Sequence, residues 1–572
     1  MTRALFVLLP LLLFTACRLE SPDDGPTTED GPVATMLDPV EPAEAALAVI
    51  DSTTLYQHVA ELSSDEYEGR GTGTPGEQKT IEYIARQMEA LGLEGGLPDG
   101  SFFQPVPLRG ATITDITPLT LTPADGDPVE LAFVDEFIAS TDLDATEASI
   151  ENTELVFVGY GITNPGYSWD DYKDVDVTGK VIVSFVNDPP ATEDEPTLFQ
   201  ADTLTYNGRW TYKYEEARRR GALGALLIHT EPTASYPFTV LSNGARGEDI
   251  NLQSAPEGAL PVKGWITQES AEQLAQMAGT TLNAWFEQAA SRDFRPQELP
   301  VTASVAMELT TRTFEGTNVI GKLEGGAHAD EAIIYTAHHD HLGKDDDLIA
   351  QGQDGIYNGA VDNASGVSML LTIAKAFTEA ERPARSVYFA TLSAEESGLL
   401  GSNHYALNPV VPLARTIANV NVDSGNLAGP TEDIVGVGAE RSEMLRYLRQ
   451  AAEAEDMTVG MDPNPNAGSF FRSDQLAFAR GGVPAVFIRT GRQFVGQPED
   501  YAAELEAEYR ANRYHQPADE LSDGMPFSGL VQQTRVAFRL GYLLASSSLR
   551  PEWKPSEAFA QTRTESEQAL EL

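Results

Sequence analysis

Cysteine is almost absent from this sequence, and that absence limits how the fold can be stabilised. The 572 residues include one cysteine, Cys17. A single thiol forms no internal disulfide, so the chain does not depend on disulfide cross-links for its stability. A chain of this length can bury a large hydrophobic core, and about two to four domains are expected from length alone.

Positive charge is also scarce. Lysine and arginine together number 38, against 87 aspartates and glutamates, which gives a formal net charge of -49. A surface of this kind repels nucleic acids and anionic membranes, which argues against a phosphate-binding role. Strongly acidic surfaces are common in proteins that work in salt. The charge therefore describes solubility and identifies no chemistry.

The N-terminus has the pattern of a secretory signal. An apolar run from Ala4 to Phe14 follows the first three residues and is too short to span a bilayer as a helix. It ends at Phe14-Thr15-Ala16-Cys17, which resembles the lipobox of bacterial lipoproteins, although Phe14 replaces the usual leucine. We predict a signal peptide over residues 1–16, a lipid anchor at Cys17 and an acidic, disordered linker over residues 17–44. The protein is expected to be exported and membrane-anchored in a bacterial cell envelope, with its folded part outside the cytoplasm.

Two parts of the chain have patterns that fit one α/β domain. Residues 45–150 show helical periodicity at 54–62 and 77–91, a Gly-rich turn at 69–73, and then the alternation typical of antiparallel strands. From residue 318 strands and helices alternate, which predicts a mainly parallel, mixed sheet flanked by helices. We assign residues 296–550 to this second part, and we expect residues 551–572 to form a polar, frayed tail.

The segment between these parts, residues 151–295, has a different sequence pattern. Buried strands are expected at 155–158, 181–185 and 225–228. The segment resembles the protease-associated (PA) domain, a largely β domain, and the resemblance implies an insertion into the α/β domain. Its motifs are Gly159-Tyr160-Gly161-Ile162, Trp169-Asp170-Asp171-Tyr172 and Asp176-Val177-Thr178-Gly179-Lys180-Val181.

Candidate metal ligands follow the apolar runs of the α/β part. In open α/β sheets, ligands bind beyond the carboxyl ends of the strands. One carboxylate can bridge two divalent ions, while one histidine and one carboxylate complete each ion and a further carboxylate accepts the proton of the attacking water. Each residue alone is a weak signal, but the set predicts a two-metal hydrolytic site. The set comprises His338, Asp362, Glu395, Glu396, Asp423 and His515.

Together with their neighbours, these residues resemble peptidase family M28, the zinc exopeptidases, over about residues 50 to 545. The resemblance implies that Asp362 bridges two zinc ions, that His338 and Asp423 bind one, and that Glu396 and His515 bind the other. Glu395 is then the general base and acid. The shared motifs include Asp340-His341-Leu342-Gly343, Tyr357-Asn358-Gly359-Ala360-Val361-Asp362-Asn363, Ser393-Ala394-Glu395-Glu396-Ser397-Gly398, Arg472-Ser473-Asp474 and His515-Gln516-Pro517.

Further residues are candidates for supporting roles. Asp340 is expected to accept the second N–H of His338, and Asp474 either to accept that of His515 or to cap a helix. Tyr514 resembles the family's tyrosine that stabilises the tetrahedral intermediate, and packing beside His515 is the alternative. We assign neither His339 nor His341 to the metal set, because successive side chains in a strand alternate faces and neither matches a ligand position of the family.

The resemblance implies a zinc-dependent aminopeptidase with two co-catalytic zinc ions, acting on peptides with a free N-terminus. A carboxypeptidase of the same clan is the nearest alternative. It would need cationic groups for a C-terminal carboxylate, and Arg472, Arg489 and Arg492 are candidates. A non-catalytic peptide-binding module is a further alternative, disfavoured by the complete ligand set. A glutaminyl cyclase is disfavoured by the inserted segment.

Overall fold

The computed structural model describes residues 41–201, 203–234 and 237–571. The predicted signal peptide, Cys17 and the linker as far as residue 40 lie outside these residues. Among the described residues, no helix has both the length and the apolar character needed to cross a membrane.

The first part of the chain forms three helices and then a series of strands. The Asp51 carboxylate caps the second helix by accepting from the backbone N–H groups of Thr53 and Thr54. Thr74 caps the third helix, which begins with Pro75. The elements are α1 (Glu44–Ala48), α2 (Ser52–Leu62), α3 (Pro75–Ala90), β1 (Glu94–Gly95), β2 (Phe103–Ile116), β3 (Leu119–Pro123), β4 (Val129–Leu131) and β5 (Phe137–Ser140).

Residues 151–295, predicted to be a largely β insertion, form a mixture of strands and helices. Four of its strands, β6, β9, β10 and β12, pair in parallel in that order. The elements are β6 (Glu147–Phe157), β7 (Thr163–Asn164), β8 (Trp169–Asp170), β9 (Val181–Phe185), α4 (Trp210–Arg219), β10 (Gly224–Ile228), α5 (Glu231–Ala234), α6 (Thr239–Ser242), β11 (Asp249–Leu252), β12 (Val262–Ile266), α7 (Gln268–Met277) and α8 (Leu282–Ala289).

The core of the insert includes residues that the sequence assigned to the first part of the α/β domain. Leu121, Leu131 and Phe137 pack in the same buried cluster as Trp285. Strand β6 also crosses the predicted boundary at residue 150. The predicted boundary is therefore too late, because alternating strands of both parts have the same sequence pattern.

The main sheet confirms the predicted α/β class, with a parallel centre flanked by helices. Its strand order is β2-β13-β15-β14-β16-β19-β17-β18, in which β15, β14, β16 and β19 run parallel. The elements are β13 (Gln297–Leu323), β14 (His328–His338), α9 (Asp346–Ala350), α10 (Ser365–Glu379), β15 (Arg385–Leu392), α11 (Leu400–Leu407), β16 (Thr416–Val422), β17 (Asp433–Val437), α12 (Met444–Glu453), β18 (Thr458–Gly460), α13 (Gln475–Arg480), β19 (Ala485–Thr490), α14 (Tyr501–Asn512), α15 (Ser528–Ala545) and α16 (Phe559–Glu571).

Helices cover both faces of this sheet. Ile333 and Tyr335 of β14 pack with α10 and α15 on one face, and Ala332 and Ile334 pack near α11 and α13 on the other. Burial on both faces explains why these strands are almost continuously apolar. Their carboxyl ends meet at one edge, so the residues that follow β14, β15 and β16 lie close together.

The C-terminal segment is ordered, and the prediction of a frayed tail is wrong. Helix α16 begins at Phe559, which is buried with Trp553 and Phe470. The Trp553 indole N–H donates to the Gly482 carbonyl at 2.9 Å. A few buried aromatic residues therefore hold a segment whose average composition is polar.

Candidate metal centre

His338 is the last residue of β14 and is almost fully buried. Its Nδ1 lies 3.2 Å from the Asp340 backbone carbonyl. A carbonyl only accepts, so Nδ1 carries a proton and Nε2 faces the carboxylates. Nε2 lies 3.1 Å from Asp362 Oδ1 and 3.3 Å from Asp423 Oδ1. The Asp340 carboxylate lies 3.9 Å from His338 Nδ1. The acceptor for His338 is therefore the backbone carbonyl of Asp340 and not the carboxylate that the sequence predicted.

His515 lies between α14 and α15 and faces the same aspartate from the other side. Its Nε2 is 3.5 Å from Asp362 Oδ2 and 3.0 Å from Glu396 Oε2. That buried nitrogen makes no hydrogen bond of acceptable geometry with the described residues. The two oxygens of Asp362 thus point to different histidines, the arrangement that a bridging carboxylate requires.

The donor set fits zinc. Ligand atoms of His338, Asp362 and Glu396 lie within 4.8 Å of one another, and so do those of His338, Glu395 and Asp423. Imidazole nitrogen and carboxylate oxygen are ordinary zinc ligands. A buried nitrogen without a hydrogen bond beside several carboxylates is also expected of a metal ligand.

The carboxylates hold both histidines in the charged form when no metal is bound. Burial lowers the pKa of His338, but Glu395, Asp423 and Asp362 outweigh it and place the pKa well above its usual value. Burial likewise opposes protonation of His515, yet Asp362 and Glu396 raise its pKa to about 10. The carboxylates of the centre therefore favour positive charge at both histidine positions, as they would favour bound metal ions.

Glu395 and Glu396 follow β15 in a tight turn in which Ala394 has a φ of 55°. The Asp340 carboxylate accepts from the backbone N–H of Glu395 at 3.0 Å and of Glu396 at 3.3 Å. The Asp340 carboxylate therefore positions the two glutamates, whereas His338 is held by the Asp340 backbone carbonyl. Burial raises the pKa of Glu395 well above its usual value, although His338 opposes the shift.

Arg70 is a component of the centre that sequence reasoning missed. It is fully buried and donates to carbonyls of the centre, including those of His339 at 2.9 Å, Gly359 at 3.0 Å and Asp362 at 3.4 Å. It also donates to Leu62 and Asn358. The sequence feature that could have indicated this role is the position of Arg70 between two glycines in the turn at 69–73. Glycines there allow the backbone of the turn to lie close to the centre.

Two more residues hold the ligands in place. His341 Nδ1 lies 2.6 Å from Glu396 Oε1, so this histidine contacts a candidate ligand although it is outside the predicted set. Asp519 is buried and accepts from the Asp362 backbone N–H at 3.0 Å and the Tyr509 hydroxyl at 3.2 Å. Asp519 lies four residues after His515, and sequence gives no signal for this contact.

The remaining predicted residues have mixed outcomes. Asp474 is buried at the N-cap position of α13, where its side chain makes no capping hydrogen bond, and it does not pair with His515. Burial raises its pKa to about 7. Its neighbour Ser473 instead donates to Asp423 Oδ2 at 2.7 Å. The Tyr514 ring stacks on His515 with centroids 3.9 Å apart, and the side chain is 44% exposed.

His339 points away from the candidate ligands, as the strand alternation predicts. Its Nε2 lies 3.5 Å from the buried Glu77 carboxylate. Glu77 also accepts from the Ser393 hydroxyl, which connects α3 to the end of β15.

Comparisons with known proteins agree with this geometry. Residues 318–534 match the family described as Peptidase family M28, and all six residues of the predicted set lie within this range. Aminopeptidase NAALADL1 of Mus musculus is 29% identical over 173 residues, which are 27% of this chain and 21% of that protein. Leucine aminopeptidase 2 of Trichophyton rubrum is 30% identical over 239 residues, which are 40% of this chain and 44% of that protein.

Among solved structures, the aminopeptidase from Aneurinibacillus sp. strain AM-1 is similar, with a TM-score of 0.46 and 18% identity. The alignment covers 89% of this chain and 98% of that one. The chain spans less than half the length of the two curated relatives described above.

Proposed function

We propose, from the match of residues 318–534 to peptidase family M28, that the protein is a zinc-dependent aminopeptidase that hydrolyses N-terminal residues from peptides. The arrangement of Asp362 between His338 and His515 carries the proposal. Each half of the centre offers one histidine, one oxygen of Asp362 and a second carboxylate, Asp423 or Glu396. This is a donor set for two zinc ions.

In this proposal the protein residues divide the work of peptide hydrolysis. When bound, two zinc ions would polarise the scissile carbonyl and acidify a water between them. Glu395 accepts the proton of the attacking water and passes it to the leaving amine. Asp340 orients Glu395 through the backbone N–H. Tyr514, beside His515, is placed to donate to the oxyanion.

The aminopeptidase reading is favoured over a carboxypeptidase. Both curated relatives described above are named aminopeptidases. Of the three arginines that could bind a C-terminal carboxylate, Arg492 is already paired with Glu506 at 3.1 Å. Arg472 and Arg489 have no ion pair among the described residues, so the names of the relatives carry the preference.

A substrate panel tests the proposal. The zinc-loaded protein should hydrolyse aminoacyl-nitroanilides, leave N-blocked peptides intact, and lose activity with a chelator. Glu395→Gln should lower kcat by about 100- to 10,000-fold without changing zinc content, because it removes only the proton acceptor. Glu499→Gln, at an exposed position, is the charge-matched control. Turnover of blocked peptides with a free C-terminus, and none of free amines, would establish a carboxypeptidase instead.

We also propose that the protein is exported and anchored by a lipid at Cys17. The lipobox-like sequence Phe14-Thr15-Ala16-Cys17 supports this. Membrane fractions of cells expressing the full chain should contain the protein, and Cys17→Ser should release it. A wild-type protein that fractionates with Cys17→Ser would refute the anchor.

A further inference from the structure

Strand β16 carries two asparagines on one of its faces. Asn419 and Asn421 lie on the side of α13, whereas the even-numbered residues from 418 to 422 pack in the hydrophobic core on the other side of the sheet. Both asparagines are fully buried. Burying an amide costs free energy unless it is hydrogen-bonded, so the partners of these side chains indicate what they do.

A polar network leads from these asparagines to Asp423, a candidate zinc ligand. Asn419 Nδ2 donates to Thr336 Oγ1 at 3.0 Å, and Thr336 Oγ1 donates to Asn421 Oδ1 at 2.7 Å. Asn421 Nδ2 donates to Ser473 Oγ at 2.9 Å, and Ser473 Oγ donates to Asp423 Oδ2 at 2.7 Å. Every donor in this network therefore points toward the carboxylate, and the four side chains before it are at most 2% exposed.

Gln475, the first residue of α13, fixes the direction of these hydrogen bonds. Its Nε2 donates to the Phe470 carbonyl at 2.7 Å, and a carbonyl only accepts, so its Oε1 faces Asn421. Asn421 Nδ2 donates to that oxygen at 2.8 Å, so turning the Asn421 amide over would place two oxygens against each other. Ser473 therefore accepts from Asn421, and its own hydroxyl proton is left for Asp423.

The polar network acts on one half of the metal centre. It holds Asp423 Oδ2, which leaves Oδ1 on the side of His338, 3.3 Å from its Nε2. Thr336 precedes His338 by two residues on β14, so the network borders both candidate ligands of this half. The other half has different support, such as the contact of His341 with Glu396 at 2.6 Å.

We propose that Gln475 and Asn421 are positioning residues for one zinc ion only. This is the ion that His338 and Asp423 would bind. Through Ser473 they keep the Asp423 carboxylate in the orientation that presents Oδ1, so the ligand loses less conformational freedom when metal binds. Loss of such support weakens metal binding by about 10- to 100-fold. This inference rests on the proposed zinc-dependent function and states how the two zinc sites differ.

The test measures the zinc affinity of the protein by competition with a zinc indicator. Gln475→Met keeps the length of the side chain and removes both amide groups. One zinc ion should bind about 10- to 100-fold more weakly than in the wild type, and the other should bind as before. Gln533→Met is the matched control, because Gln533 is buried on α15 and its amide bonds to the backbone of Asn426 and Ile488. This control should lose similar stability and keep both zinc affinities.

A second variant and a double mutant distinguish positioning from a general loss of structure. Thr336→Val keeps the shape and removes the hydroxyl that donates to Asn421, so the same zinc ion should bind about two- to tenfold more weakly. It decides the matter if Gln475→Met does not fold. In an Asp423→Ala background, Gln475→Met should not change the affinity of the remaining zinc ion, since its effect passes through Asp423.

Three results would overturn the positioning role and leave the aminopeptidase proposal intact. They are equal weakening of both zinc ions, unchanged affinity in Gln475→Met and Thr336→Val, and an effect of Gln475→Met that persists without Asp423. A wild-type protein that binds no zinc overturns the proposed function and this inference together.

Discussion

At the scale of single residues, the metal centre depends on a buried arginine that pairs with no carboxylate directly. Arg70 donates to five backbone carbonyls, and its charge faces Asp362, Asp519 and Asp340 from a distance. Burial lowers its pKa to about 10. The guanidinium thus fixes backbone segments on opposite sides of the ligands, a task that needs its planar set of donors.

Arg70→Lys should weaken both the fold and the zinc site. A lysine has three donors and cannot reach the same carbonyls, so we expect a loss of about 2–4 kcal/mol in the free energy of unfolding. Zinc affinity should fall by about 10- to 100-fold, because the backbone of Asp362 and His339 loses its support. Urea unfolding of the metal-free protein and competition with a zinc indicator measure the two effects. Arg446→Lys serves as the control, and equal zinc affinity in both variants would contradict a positioning role.

Some residues of the centre could be predicted from the sequence and others could not. His338, Asp362, Glu396, Asp423 and His515 meet because each follows a strand end or lies in a loop at the same edge of the sheet. The spacing of the motifs relative to the strands is sufficient to predict that these five residues lie together. The contact of His341 with Glu396, and that of Asp519 with the Asp362 backbone, could not be predicted. Both depend on how separate loops fold back over the centre.

At the scale of elements, the buried strands were predictable and the long or polar elements were not. Strands β15 and β16 are buried on both faces, so their sequences are almost continuously apolar and fit the alternation of strands and helices predicted from residue 318 onward. Strand β13 alternates in part of its length and runs through both cores, so no single pattern identifies it. Helix α16 is mostly polar, and only Phe559 at its start is deeply buried.

Phe559→Ala should therefore destabilise the protein by about 3–5 kcal/mol, because it leaves a cavity in the hydrophobic cluster that contains Trp553 and Phe470. Thermal and urea unfolding measure the loss. Leu570→Ala removes apolar volume from an exposed position of the same helix and should change stability by less than about 0.5 kcal/mol. Similar stability for both variants would show that the C-terminal helix contributes little.

At the scale of the whole molecule, metal binding and pH are coupled. The pKa of His515 rises from 6.5 to about 10 in the metal-free fold. A raised histidine pKa contributes stability that is complete below about pH 6.5 and is lost as the pH rises through about 10. The metal-free protein should therefore lose stability across this range. The zinc-loaded protein should not lose it in the same way, since its histidines bind the metal without that proton.

Proton release measures the same coupling. At pH 7.5, zinc binding should release about two protons, one from His338 and one from His515. Titration calorimetry in buffers of different ionisation enthalpy gives the number directly. The count should fall as the pH approaches 10, and a release near zero at pH 7.5 would show that the histidines are neutral before zinc binds.

Strands β2 and β13 run side by side from the insert into the main sheet, paired from Met307 with Ile116 to Val319 with Phe103. A ribbon of this kind resists bending far more than a loop does. The segment between these strands is consequently attached by a paired ribbon rather than by a single loop. Moving it relative to the main sheet would require breaking strand pairs, so the two parts are expected to move as one body.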